Sequence, residues 1–170
     1  QVAPMILLSK KIKNNVNLLE KNFFLSIILI VVIFSLDRIV KIKIIKEYEG
    51  QTHFINDFIN LDLIWNTGIG FGLLSTNSLT IYNLTSFVIG LVIIVLLYFI
   101  IISKIINKLL FSLIAGGAIG NLYDRVLFNA VPDFIDIHFK GIHWFTFNVA
   151  DVFITCGVIL LLFRDLKKNE

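Results

Sequence analysis

The strongest constraint on this chain is the spacing of its apolar runs. A helix that crosses the hydrocarbon core of a bilayer needs about 20 mostly apolar residues, and four stretches qualify: Phe23 to Val40, Leu79 to Ile102, Ile106 to Leu127 and Trp144 to Phe163. With 57% hydrophobic and only 16% charged residues, the chain has too little polar surface to coat a water-soluble globule of 170 residues. The expectation is an all-α membrane protein, a single domain of four transmembrane helices at 23–40, 79–102, 106–127 and 144–163. An even number of spans puts both termini on one side. Lys10, Lys11, Lys13 and Lys21 precede the first span, Lys104 and Lys108 lie between the second and third, and Arg164, Lys167 and Lys168 follow the fourth. The positive-inside rule makes these segments, including residues 1–22, cytoplasmic.

The two outer connections, 41–78 and 128–143, are too long to be simple turns and are expected to carry specificity. In the first, Phe58, Leu61, Leu63 and Trp65 suit short strands or an interfacial segment, so a small β-like subdomain is expected between helices 1 and 2. Trp65 and Trp144 are expected near the outer interface. The net charge of +3 resides in lysine clusters at the edges of apolar runs, which suits anionic lipid headgroups and argues against nucleic acid. Cys156, the only cysteine, precludes an intramolecular disulfide and is expected to be a packed core thiol. Met5 reads as a native start, with Gln1 to Pro4 a remnant. Phe23 to Leu36 has no small-residue cleavage site after it and reads as a retained span.

Ionisable groups inside spans cost a few kcal/mol, so each asks for a partner or a purpose. Asp37 and Lys41 are spaced i,i+4 and can pair on one helix face as a structural element. The stretch GGAIGNLYDR places Gly116 and Gly120 in a small-xxx-small pattern suited to helix packing. Asn121 and Arg125 share a face, and a buried arginine demands an anion, a carboxylate or a headgroup; Asp124 is its nearest local partner. Asp133 lies in VPDFIDIHF, with Asp136 and His138 as nearby competitors. Asp151 is expected about two turns into the fourth span, with Asn148 at i−3. Alone, Asp133 reads equally as an exposed loop acid and Asp151 as a buried structural hydrogen-bonding group. Together, two carboxyls converging at a partly dry site can share one proton. One then activates water while the other protonates a scissile carbonyl. His53, His138 and His143 form no HExxH spacing and no serine sits in a nucleophile elbow, so neither a metal nor a covalent nucleophile is expected.

Five blocks in order, DRIVK from Asp37, NTGIGFG from Asn66, GGAIGNLYDR from Gly116, VPDF from Val131 and FNVAD from Phe147, make the chain resemble prolipoprotein signal peptidase, also called signal peptidase II. The resemblance implies an aspartyl endopeptidase of the bacterial inner membrane, with its active site near the periplasmic face. It would cut diacylglyceryl-modified prolipoproteins before the lipidated cysteine. It further implies Asp133 and Asp151 as the catalytic pair and Asn66, Gly68, Asn121, Arg125 and Asn148 as substrate-binding or supporting residues. Asp37, Lys41, Asp124, Gly116 and Gly120 would be structural. No cofactor is implied; membrane lipids and the cyclic peptide globomycin are the other expected partners, and a monomer is expected. Arg38, Gly70 and Asn129 stand where the family commonly has glutamine, alanine and glycine. The segment from Lys41 to Ser78 could fold over substrate as a lid. A proton or solute pathway lined by Asp133, Asp151 and Arg125, and a helix-packing scaffold built on Gly116 and Gly120, are the rival readings.

Overall fold

The computed structural model describes residues 2–68 and 78–168, with side chains from 21 to 68 and from 78 to 167. There are four helices among the described residues: α1 (Val2–Tyr48), α2 (Leu79–Ile102), α3 (Ile105–Phe128) and α4 (Val149–Lys168). Among the described residues, three segments, Lys21–Tyr48, Leu79–Ile102 and Ile105–Phe128, are long and apolar enough to cross a membrane. Their surfaces agree with that reading, because large side chains such as Leu84, Phe87 and Ile94 on α2 are more than 60% exposed. Lipid, rather than water, is the solvent such a surface tolerates. The chain is a membrane protein.

Helix α3 contacts each of the other three helices and forms the centre of the bundle. Its small residues allow this. A Cβ added at Gly116 would lie 2.9 Å from Ile33 Cβ on α1, and one at Gly117 would lie 2.5 Å from the Ala150 carbonyl oxygen on α4. The Gly116 and Gly120 pattern therefore serves close helix approach, and Gly120 also admits a polar group, since its Cβ would stand 2.8 Å from Asp37 Oδ2. Helix α3 stops at Asn129, whose φ of 53° is left-handed and whose N–H donates to the Arg125 carbonyl at 3.2 Å. Asparagine tolerates that conformation better than any residue except glycine, which explains why it can stand where glycine is usual.

Several element boundaries differ from those expected. Helix α1 continues through 41–48, a stretch expected to be loop, because Lys41 is turned inward and neutralised. Trp144 to Phe147, expected to open the fourth span, instead belong to strand β4. Their aromatic apolarity raises a hydropathy window but suits a pleated surface equally well. Helix α4 consequently starts at Val149, and Asp151 sits in its first turn rather than two turns in. Cys156, expected in the core, is exposed on α4.

The β subdomain is also larger than expected. Strands β1 (His53–Asn56), β2 (Ile59–Asn66), β3 (Val131–Phe139) and β4 (Ile142–Phe147) form one antiparallel sheet in the order β1-β2-β3-β4. The connection between α1 and α2 thus supplies two strands and that between α3 and α4 the other two. Both long connections close into one structure. The register sets Asn66 opposite Val131 and Ile64 opposite Asp133, which fixes the start of β3 at the mouth of the bundle. Val131 to Phe134 are buried there.

Candidate functional site

Four elements converge on two carboxyl groups. Asp133 enters from β3 and Asp151 from the first turn of α4, and both are buried, at 2% and 8% exposure. Every carboxylate oxygen of the pair accepts a hydrogen bond from an asparagine. Asn66 Nδ2 donates to Asp133 Oδ2 at 2.8 Å and Asn148 Nδ2 to Asp133 Oδ1 at 2.6 Å. Asn121 Nδ2 donates to Asp151 Oδ1 at 2.8 Å, and the Asn148 backbone N–H to Asp151 Oδ2 at 3.2 Å.

The asparagines are themselves oriented. Each of their side-chain oxygens accepts from a different donor: Gly68 N–H to Asn66 at 2.7 Å, Lys41 Nζ to Asn121 at 2.9 Å, and Asp151 N–H to Asn148 at 3.1 Å. With the oxygen so occupied, the amide NH2 must turn toward a carboxylate. Asn148 and Asp151 form a reciprocal capping box at the start of α4, which accounts for their i,i+3 spacing on local grounds. The capping box also answers why an aspartate opens an apolar helix, where the dipole favours negative charge.

Behind the pair lies a second buried cluster. Lys41 Nζ sits 2.8 Å from Asp37 and 2.7 Å from Asp124, while Arg38 Nη1 lies 2.5 Å from Asp124. Asp37 Oδ1 also accepts the Ala150 N–H at 3.0 Å, tying α1 to the start of α4 one residue before Asp151. The expected Asp37 and Lys41 pair is present. Asp124, however, pairs with Lys41 and Arg38, so the local Asp124–Arg125 neutralisation considered from sequence does not occur. Arg38 adds a second cation to the cluster, a role its position in the sequence did not suggest.

Arg125 instead turns toward the Asp133 side. Its Nη2 donates to the Gly68 carbonyl, and its guanidinium lies 5.5 Å from the centre of the Tyr82 ring. Its Nε and Nη1 are buried and lack a hydrogen-bond partner among the described residues. Tyr82 donates its hydroxyl to the Arg125 carbonyl at 3.2 Å. Nothing in the apolar opening of α2 marked that tyrosine from sequence.

Asn66, Asn121, Arg125, Asp133, Asn148 and Asp151 line one side of a cavity of about 290 Å³. The other walls are apolar, with Ile89, Val92 and Leu96 from α2, Ile114 from α3 and Ile154 from α4. Burial, and next the negative charge of Asp151, push the Asp133 carboxyl up to about 7, against the lowering effect of the bonds from Asn66 and Asn148. Of the residues expected at the site, Ile69 to Gly72 of the NTGIGFG block, and 69–77 of the proposed lid, lie outside the described residues.

Comparison with known proteins identifies relatives over most of the chain. A family model described as signal peptidase (SPase) II matches residues 29–167. A protein of Pelagibacter ubique (strain HTCC1062) named lipoprotein signal peptidase is 48% identical over 165 residues, which cover 92% of this chain and 98% of the relative. Another of that name from Anaplasma phagocytophilum (strain HZ) is 43% identical over 150 residues, covering 86% and 94% respectively. A solved structure titled as a bacterial membrane enzyme superposes with a TM-score of 0.70 at 33% identity, over 85% of this chain and 89% of that one.

Proposed function

Because the chain belongs to the signal peptidase II family, we propose that it is an aspartic endopeptidase that removes signal peptides from diacylglyceryl-modified prolipoproteins, cutting before the lipidated cysteine. The observation that carries this reading is the pair of buried carboxyls, Asp133 and Asp151, held by asparagine donors on the wall of a mainly apolar cavity. A peptide carbonyl placed between them meets one protonated and one ionised carboxyl. The ionised group takes a proton from water, the water oxygen adds to the carbonyl carbon, and the protonated group donates to the carbonyl oxygen. Collapse of the resulting diol breaks the C–N bond, with a proton returned to the departing amine of the cysteine. Asn66, Asn121 and Asn148 keep both carboxyls in place through the cycle. Arg125 presents two uncommitted nitrogens, Nε and Nη1, to donate to a substrate carbonyl. No cofactor takes part.

In this reading α4 is the fourth span; its 20 residues extend about 30 Å. Lys21, Lys104, Lys108, Arg164 and Lys167 gather at the bundle end remote from the sheet, which supports cytoplasmic termini and a dyad near the periplasmic face of the bacterial inner membrane. The substrate enters sideways from the bilayer, its acyl chains against the apolar walls formed by α2, α3 and α4. Membrane lipids surround a monomer, and globomycin competes for the dyad. The test is to incubate purified protein with a diacylglyceryl-modified prolipoprotein and with its unlipidated form, with and without globomycin. Release of the signal peptide from the lipidated form alone, blocked by globomycin, is the expected result. Absence of cleavage by the native protein, or substantial cleavage by Asp133→Asn or Asp151→Asn, would overturn it.

A further inference from the structure

The far end of the β3–β4 hairpin gathers a second set of titratable side chains that the peptidase chemistry does not use. Asp136 and His138 are two residues apart on β3 and so share a face of the strand. His143 joins them through an irregularity in register: Asp136 opposes Thr146 and Ile137 opposes Phe145, but His138 opposes His143. Without that one-residue slip Trp144 would stand opposite His138, and His143 would pair with Phe139. The bulge brings the second imidazole to the first.

The resulting cluster is compact and incompletely satisfied. His143 Nδ1 lies 2.7 Å from Asp136 Oδ2, and His138 Nδ1 lies 3.6 Å from the same oxygen, beyond hydrogen-bond reach. The two imidazole rings stack with centroids 5.4 Å apart. His138 Nδ1 is buried without a hydrogen-bond partner among the described residues, a state that costs free energy unless a ligand satisfies it. One ligating atom from each of the three residues falls within 4.8 Å of the others.

We propose that Asp136, His138 and His143 form a site for a divalent transition-metal ion of the zinc class, with two imidazole nitrogens, one carboxylate oxygen and solvent in the remaining position. Bonds of about 2.0–2.1 Å in tetrahedral geometry place ligand atoms about 3.4 Å apart, so the widest pair must close by up to about 1.4 Å and the His143–Asp136 pair open by about 0.7 Å. Rotation of the exposed His143 supplies that movement, while the buried Asp136 and largely buried His138 stay anchored. Two imidazoles favour zinc, copper or nickel over the harder magnesium and calcium. The bound ion would clamp β3 to β4. Asp133 lies three residues before Asp136, and Asn148 directly follows β4, so the clamp would stiffen the hairpin that delivers both to the cavity. The site stands whether or not the peptidase reading holds.

The experiment uses the full chain in detergent, stripped with a chelator and titrated with Zn2+ by calorimetry and with Co2+ by visible absorption. One saturable ion per chain is expected, with a Co2+ spectrum of a low-symmetry nitrogen and oxygen site. His138→Gln and His143→Gln should each weaken binding by more than roughly 10-fold. His53→Gln, which alters the chain's remaining histidine, and Asp151→Asn should leave binding unchanged. Zn2+ should raise the melting temperature of the native protein and not that of His143→Gln, an exposed position whose substitution leaves the fold intact. Absence of saturable binding overturns the site. So does binding that survives both the His138 and His143 substitutions, or that is lost with His53→Gln or Asp151→Asn.

Discussion

Two pairs of buried aspartates lie within one bundle and meet different fates. Asp37 and Asp124 are fully buried, yet each lies within 2.8 Å of Lys41, and Arg38 adds a second cation, so two negative charges meet two positive ones. Asp133 and Asp151 are nearly as buried but are held by neutral amides and backbone N–H groups. Hydrogen bonds satisfy the oxygens without cancelling the charge, so burial pushes Asp133 up to about 7. A carboxyl neutralised by cations is a girder. Asparagine donors hold the other two carboxyls in place without setting a cation beside them.

The contrast can be broken most forcefully at the dyad. Asp133→Asn and Asp151→Asn should each lower signal-peptide release by about 10²–10⁴-fold or more, measured as single-turnover cleavage of a lipidated substrate by protein whose helicity is unchanged. Removing the shared cation comes next. Lys41→Met leaves Asp37 and Asp124 short of a partner and frees the Asn121 oxygen, so stability should fall by about 3–5 kcal/mol, read by denaturation in detergent. Cleavage should also fall in whatever protein remains folded, because Asn121 no longer has its amide turned toward Asp151. A smaller loss tests the packing that lets the two clusters touch: Gly120→Ala, whose Cβ would stand 2.8 Å from Asp37 Oδ2, should cost about 1–3 kcal/mol by the same measurement.

The last test is the dependence on pH. The folded-state pKa of Asp133 is raised from 3.8 to about 7, so between those values the folded protein holds a proton that the unfolded chain has released. Its contribution to stability therefore declines as pH rises from about 4 to about 7, and the cost of a buried charge is fully present above that range. Asp133→Asn carries no such charge. Its melting temperature should gain on the native protein across that window and hold the gain at pH 8 (roughly one unit above the folded pKa), a trend followed by thermal unfolding at stepped pH. Under the proposed mechanism kcat/KM should fall above pH about 7, as Asp133 loses its proton. A flat profile through neutrality would place the two aspartate pairs in one class after all.

Apolarity accumulates locally along a chain, and for that reason α2 runs over the residues expected, Leu79–Ile102, while α3 differs by one residue at each end. The same local logic exposed Asp151 as a group in a costly place and Asp37 with Lys41 as a pair, whereas Asp133 gained meaning only beside Asp151. Partner choice is different in kind, because it depends on residues distant in sequence. Asp124 pairs with Lys41 83 positions away rather than with the adjacent Arg125. Strand β4 exists because β3 is there to pair with it, and hydropathy alone read its aromatic residues as the start of a helix. The His138–His143 juxtaposition rests on a one-residue bulge that no spacing rule reveals. Composition and periodicity determined the solvent, the long helices and the suspicious acids. Only tertiary packing could decide which acids lie beside cations and which are held by neutral amides, because charge compensation at short range is a property of neighbours in space.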